Sequence, residues 1–106
     1  MLSDKELQEH TADQLSLMAM EEAAEVIQAA SKMKRFGLLG HHPNSEELNV
    51  IAFFREFHQL QSTIRIFCGK IGVDYRNVAS GQLDRIDHIT PAGREALKSR
   101  EKSDGE

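Results

Sequence analysis

Proline occurs only at Pro43 and Pro91, so long stretches of this chain carry nothing that forces a helix to end. Within them apolar residues recur at helical spacing, and no alternating strand pattern, internal repeat or low-complexity tract interrupts them. This predicts an all-α chain. A first short helix runs from Asp4 to His10, and Ser3-Asp4-Lys5-Glu6 fits the S-x-x-E capping box. Thr11 caps a restart that continues to about Arg35 and ends at Phe36-Gly37. Residues 37–44, with Gly37, Gly40, Pro43 and Asn44, read as a loop. Ser45, followed by Glu46 and Glu47, signals a second long helix that reaches about Cys68, where Gly69 helps to stop it. Residues 72–81 read as a short irregular or helical piece. Thr90 before Pro91 marks a last helix, reaching about Ser99. The expected architecture is a helical bundle built on two long antiparallel helices, with residues 1–100 as one domain and 101–106 as a frayed tail.

A chain of 106 residues has room for one core, and a mostly helical chain of this size often completes its burial by self-association. A homodimer or higher homo-oligomer is therefore expected. Hydrophobic residues make up 40% and charged residues 28%, a globular balance with no run of the roughly 20 apolar residues that would span a membrane. The polar N-terminus lacks a signal peptide's apolar run, and the single Cys68 cannot form an internal disulfide, so a reducing cytoplasm is the expected setting. A formal charge of −4 argues against general nucleic-acid binding. There is no G-x-x-x-x-G-K-S/T, G-x-G-x-x-G, C-x-x-C or G-x-S-x-G motif.

The anomaly lies in the apolar stripes. On a wheel of about 100° per residue, Leu15, Met18, Glu25, Val26, Ala29 and Met33 fall within about 60° of Glu22. Glu22 and Glu25 thus share the face that should be core, with Glu21 about 100° away at its edge. On the second helix Asn49, Ala52, Phe53, Gln59, Leu60, Thr63 and Phe67 surround Glu56 in the same way. Acids on long helices are ordinarily solvated or paired with Lys and Arg. Carboxylates on a buried stripe need compensation, either from basic partners or from a bound cation. Two i, i+3 pairs on facing helices project oxygen ligands towards one point, which suits a hard divalent cation such as magnesium.

The run Glu21-Glu22-Ala23-Ala24-Glu25-Val26-Ile27-Gln28-Ala29, continuing through Ser31-Lys32-Met33-Lys34-Arg35-Phe36-Gly37, resembles the first motif of the MazG-like all-α nucleoside triphosphate pyrophosphohydrolases, E-E-x-x-E on a long helix, in the form seen in small phage-type members. The family's second motif, E-x-x-D on the next helix, has its counterpart in Glu56-Phe57-His58-Gln59, where glutamine replaces the aspartate. The resemblance covers about Leu15 to Phe67. It implies magnesium-dependent cleavage, with manganese as a substitute, of an NTP or dNTP to the monophosphate and pyrophosphate. Carried over position by position, Glu22, Glu25 and Glu56 would hold the metal, and Glu21 would stand behind them or at a second metal. Gln59 would complete the ring with an amide oxygen and one negative charge fewer, which weakens the pull on magnesium. The same substitution leaves open a relative that binds nucleotide or a protein partner without cleaving.

Lys32, Lys34 and Arg35 could grip phosphates, and they are also the cations that any helix C-terminus favours. Asp84 and Asp87 form another i, i+3 pair that a loop or partner subunit could bring close. His41-His42 lacks the spacing of a metal site and reads as solvated loop, while Cys68 and Tyr75 read as packing residues.

Overall fold

The structure, a computed structural model, describes residues 2–86. The helix expected from Thr90, the tail, and Asp87 lie outside the described residues. Four α-helices are present in it: α1 (Asp4–Gln8), α2 (Ala12–Phe36), α3 (Asn49–Ile71) and α4 (Tyr75–Ala79), followed by a 3-10 turn at Leu83–Arg85. The long α2 and α3 pack against each other as an antiparallel pair, and that contact dominates the fold. No described helix is long and apolar enough to cross a membrane.

Local chemistry sets most of the boundaries. Ser3 Oγ accepts the Glu6 N–H while the Glu6 carboxylate accepts from the Ser3 N–H, a complete capping box at the head of α1. Thr11 and Gln14 repeat the arrangement at the head of α2. Gly37, with φ +91°, carries the chain out of α2. A five-residue helix such as α1 does not hold by itself. It is fixed by fully buried Leu7, by the Arg65–Asp4 ion pair at 2.7 Å and by Lys70 Nζ donating to the Gln8 carbonyl.

The second long helix differs from expectation at both ends. It begins at Asn49, not Ser45. Ser45 Oγ accepts the Glu47 N–H within a local turn, and His41 pairs with Leu48 as an antiparallel bridge, so the backbone is committed to the loop until Leu48. At the other end α3 runs through Gly69 and stops at Gly72, whose left-handed φ of +75° lets its N–H reach the Cys68 and Gly69 carbonyls.

The core lies at one end of the helix pair. Leu7, Leu15 and Ile66 form it, with Leu2, Met18 and Phe67 packed around them. Cys68 is buried at the same end of α3, as expected of a packing residue, and burial pushes its thiol pKa up. Further along the pair the contact face changes character, and the buried positions of α3 become Thr63, Ser62, Gln59 and Asn49.

Candidate metal centre and the cavities beside it

Glu22 and Glu25 lie one turn apart on α2, and Glu56 and Gln59 one turn apart on α3. Antiparallel packing brings the two pairs face to face. One ligand oxygen from each of Glu22, Glu25 and Glu56 lies within 4.8 Å of the other two. An octahedral magnesium shell places neighbouring oxygens about 3.0 Å apart and opposite ones about 4.2 Å, so binding all three carboxylates directly would draw them together by roughly 1–2 Å, a movement within reach of side-chain rotation.

The electrostatics show strain without a cation. The Glu22 pKa is raised, first by burial and then by repulsion from Glu25 and Glu56. Glu25 is exposed, yet its pKa is raised too, first by a side-chain hydrogen bond with Glu56 and then by burial and by the Glu56 charge. Protons are thus held more tightly where like charges crowd, and a bound cation would compete with them.

Gln59 supplies an independent sign. The residue is 4% exposed and lines the same cavity as Glu22, Glu25 and Glu56, yet neither Oε1 nor Nε2 of its side chain has a hydrogen-bond partner. Glu22 Oε2 is buried and unpartnered as well. Each such atom costs about 1–3 kcal/mol if left alone. A hydrated cation would satisfy these atoms, and the donor set of three carboxylates and an amide oxygen suits a hard divalent ion. This triad could therefore hold a metal, a capacity consistent with a metal-dependent hydrolytic site.

Arg55 is the residue the helical pattern missed. Its Nη1 donates to Glu56 Oε1 at 2.9 Å, while Nε and Nη2 grip Glu47 at 3.3 and 3.0 Å. Adjacent in sequence to Glu56, it lies about 100° round the helix from it, off the stripe that the period marks as inward. Only the loop that returns Glu47 beside it turns the guanidinium into a wall of the site.

Three cavities follow one another along the helix pair. The first, of about 300 Å³, is lined by Leu2, Glu22, Glu25, Arg55, Glu56 and Gln59. The second, of about 280 Å³, keeps Glu25, Arg55 and Glu56 and adds Lys32 and Asn49. The third, of about 590 Å³, keeps Lys32 and Asn49 and extends to Arg35, Phe36 and the His41-His42-Pro43 loop. Of the expected phosphate-binding cations, Lys32 and Arg35 face these cavities, and Lys34 lines none of the three. Asp84, exposed in the 3-10 turn, lines none of them either. Glu21 is exposed at the edge of the acidic cluster, near enough for its charge to raise the pKa of both Glu22 and Glu25.

Asn49 holds the loop in place. Its N–H donates to the Gly40 carbonyl at 2.8 Å, and its buried side-chain Nδ2 donates to the Gly37 carbonyl at 3.0 Å. A Cβ on Gly40 would collide with the Phe36 carbonyl, so the loop closes over the end of α2 only with glycine there.

No family model matches the chain, and neither does any curated protein or solved structure.

Proposed function

We propose that the chain is a magnesium-dependent nucleoside triphosphate pyrophosphohydrolase, converting an NTP or dNTP to the monophosphate and pyrophosphate. The observation that carries this reading is the meeting of Glu22, Glu25 and Glu56 from two helices around a buried, unpartnered Gln59. The resemblance of residues 15–67 to the MazG-like enzymes points the same way.

Glu22, Glu25 and Glu56 would hold the cation, with Gln59 Oε1 as a weak fourth ligand. When bound, a divalent ion supplies charge neutralisation on the phosphate chain and a water of lowered pKa. Glu21 stands at the edge of the cluster, where it would add negative charge behind the ligands or at a second metal. Arg55 and Lys32, on the walls of the adjoining cavity, draw the phosphates in and offset their charge. Arg55 also keeps Glu56 oriented towards α2.

The functional unit is a homodimer or higher homo-oligomer. The described residues leave Leu17, Met20 and Ile27 of α2 and Ile51, Phe54 and Phe57 of α3 exposed, more apolar surface than a helix pair with so small a core leaves to solvent by design. A second copy would cover those faces and complete a bundle.

Gln59 favours one other reading, a relative that binds nucleotide without cleaving it, because the amide removes a charge from the metal ring. One assay separates the two. Ordinary and modified NTPs are incubated with Mg²⁺ or Mn²⁺ and the products resolved by chromatography. Equal amounts of monophosphate and pyrophosphate, lost in Glu56→Gln, support the hydrolase. Nucleotide binding without turnover of any substrate supports the other reading, and Gln59→Asp would then restore cleavage if the missing charge is what limits it.

A further inference from the structure

The largest and most apolar of the three cavities lies beyond the acidic centre, between the last turn of α2 and the 37–48 loop. At 1.5 Å of rise per residue, Lys32 sits about 10 Å along α2 from Glu25 and Phe36 about 16 Å. A group anchored at the acids by its phosphates therefore reaches this cavity with its far end. Its volume of about 590 Å³ falls in the range that takes a small organic ligand.

The wall has readable polarity. His41 Nδ1 lies 2.9 Å from the His42 carbonyl, which only accepts, so that nitrogen carries a proton and, in the neutral ring, Nε2 is the acceptor. His42 Nδ1 accepts the Asn44 N–H at 3.1 Å, which puts the proton of that ring on Nε2 as a donor. Assigned from these bonds, the neighbouring imidazoles present one acceptor and one donor. Arg35 lies against the Phe36 ring, 5.3 Å from its centroid, holding a guanidinium at the same wall.

We propose that this cavity is the base-and-sugar subsite for the triphosphate substrate, with His41 and His42 reading the polar edge of the base and Lys32 and Arg55 holding the phosphates between it and the acids. The assignment rests on that reading of the acidic centre. It makes the loop, not the metal ring, the source of base preference, because every nucleotide offers the ring the same phosphates. The matching ligand is a nucleobase with a donor and an acceptor side by side.

Calorimetry on the full-length protein tests this separately from the centre itself. The probes are Mn²⁺ alone, magnesium tripolyphosphate, and magnesium complexes of α,β-methylene nucleoside triphosphates with each of the four bases. The expected result is that at least one nucleotide binds about 10-fold or more tightly than tripolyphosphate. His41→Ala and His42→Ala, checked for fold by circular dichroism, should each lower that advantage by about 3- to 10-fold, the worth of one hydrogen bond. Both should leave Mn²⁺ and tripolyphosphate binding within about twofold of the parent. Nucleotide and tripolyphosphate binding with equal affinity, or a base preference unchanged in both variants, overturns the subsite. Loss of the Mn²⁺ signal in the unsubstituted protein overturns the acidic centre instead, while the nucleotide arms still report on the cavity.

Discussion

The same two helices make two different interfaces. Where α1 joins the end of α3, the shared stripe is filled by Leu7, Leu15 and Ile66 and is apolar. A few turns further on, the stripe of α2 carries Glu22 and Glu25, and that of α3 carries Gln59 and Glu56. Backbone geometry is continuous between them, so the helices would pack as well with apolar side chains throughout. The difference is therefore chemical: one end gains stability from burial, while the other holds unpartnered polar atoms and crowded like charges. Such a departure from core chemistry is what a binding site built on a rigid scaffold looks like.

The sharpest contrast comes from truncation at the apolar end. Leu15→Ala removes a fully buried side chain and should destabilise the fold by about 2–5 kcal/mol in chemical denaturation. A smaller loss would mean that α1 and α3 collapse into the space. At the polar end the sign reverses. Gln59→Leu removes both unpartnered amide atoms and should leave the metal-free protein about 1–3 kcal/mol more stable, while weakening its hold on Mn²⁺. If this variant is destabilised, the amide has partners in solution and the comparison fails.

A smaller effect appears in pH dependence. Because the pKa of Glu22 is raised on folding, its protonated form is favoured in the native state. Relative stability is therefore kept below the ordinary carboxylate pKa and lost as pH rises through the raised value. Without metal, Glu22→Gln should match the parent in acid and become the more stable of the two as pH rises towards neutrality. Saturating Mn²⁺ should reverse that order, since the cation binds the deprotonated carboxylates. Parallel pH profiles for the two proteins would show that Glu22 is not under strain.

Much of this was readable in the residues. The 3.6-residue period placed Glu22, Glu56 and Gln59 on inward faces, because buried neighbours at Leu15, Ala29, Thr63 and Ile66 define those faces, whereas Glu25, expected on the same stripe, is exposed at its edge. Capping signals at Ser3 and Thr11 marked true helix starts, since both hydroxyls bond the backbone three residues on. Ser45 carries the same signal and misleads. Its hydroxyl reaches only the Glu47 N–H, and the loop's own pairing delays the helix. Gly69 misleads because glycine within a helix is tolerated, and the stop falls at Gly72, where the left-handed turn occurs. Arg55 and the His41-His42 wall were not legible, because what gives them a place is the fold of the 37–48 loop against α2 and α3.

The central claim is that the three glutamates share one divalent cation, and Mn²⁺ titration followed by electron paramagnetic resonance tests it most directly. The account predicts one Mn²⁺ per chain, a site displaced by Mg²⁺, and affinity lowered by roughly 10- to 100-fold or more in each of Glu22→Gln, Glu25→Gln and Glu56→Gln. An unsubstituted protein that leaves Mn²⁺ free in solution, or three variants that bind it as well as the parent, would contradict it.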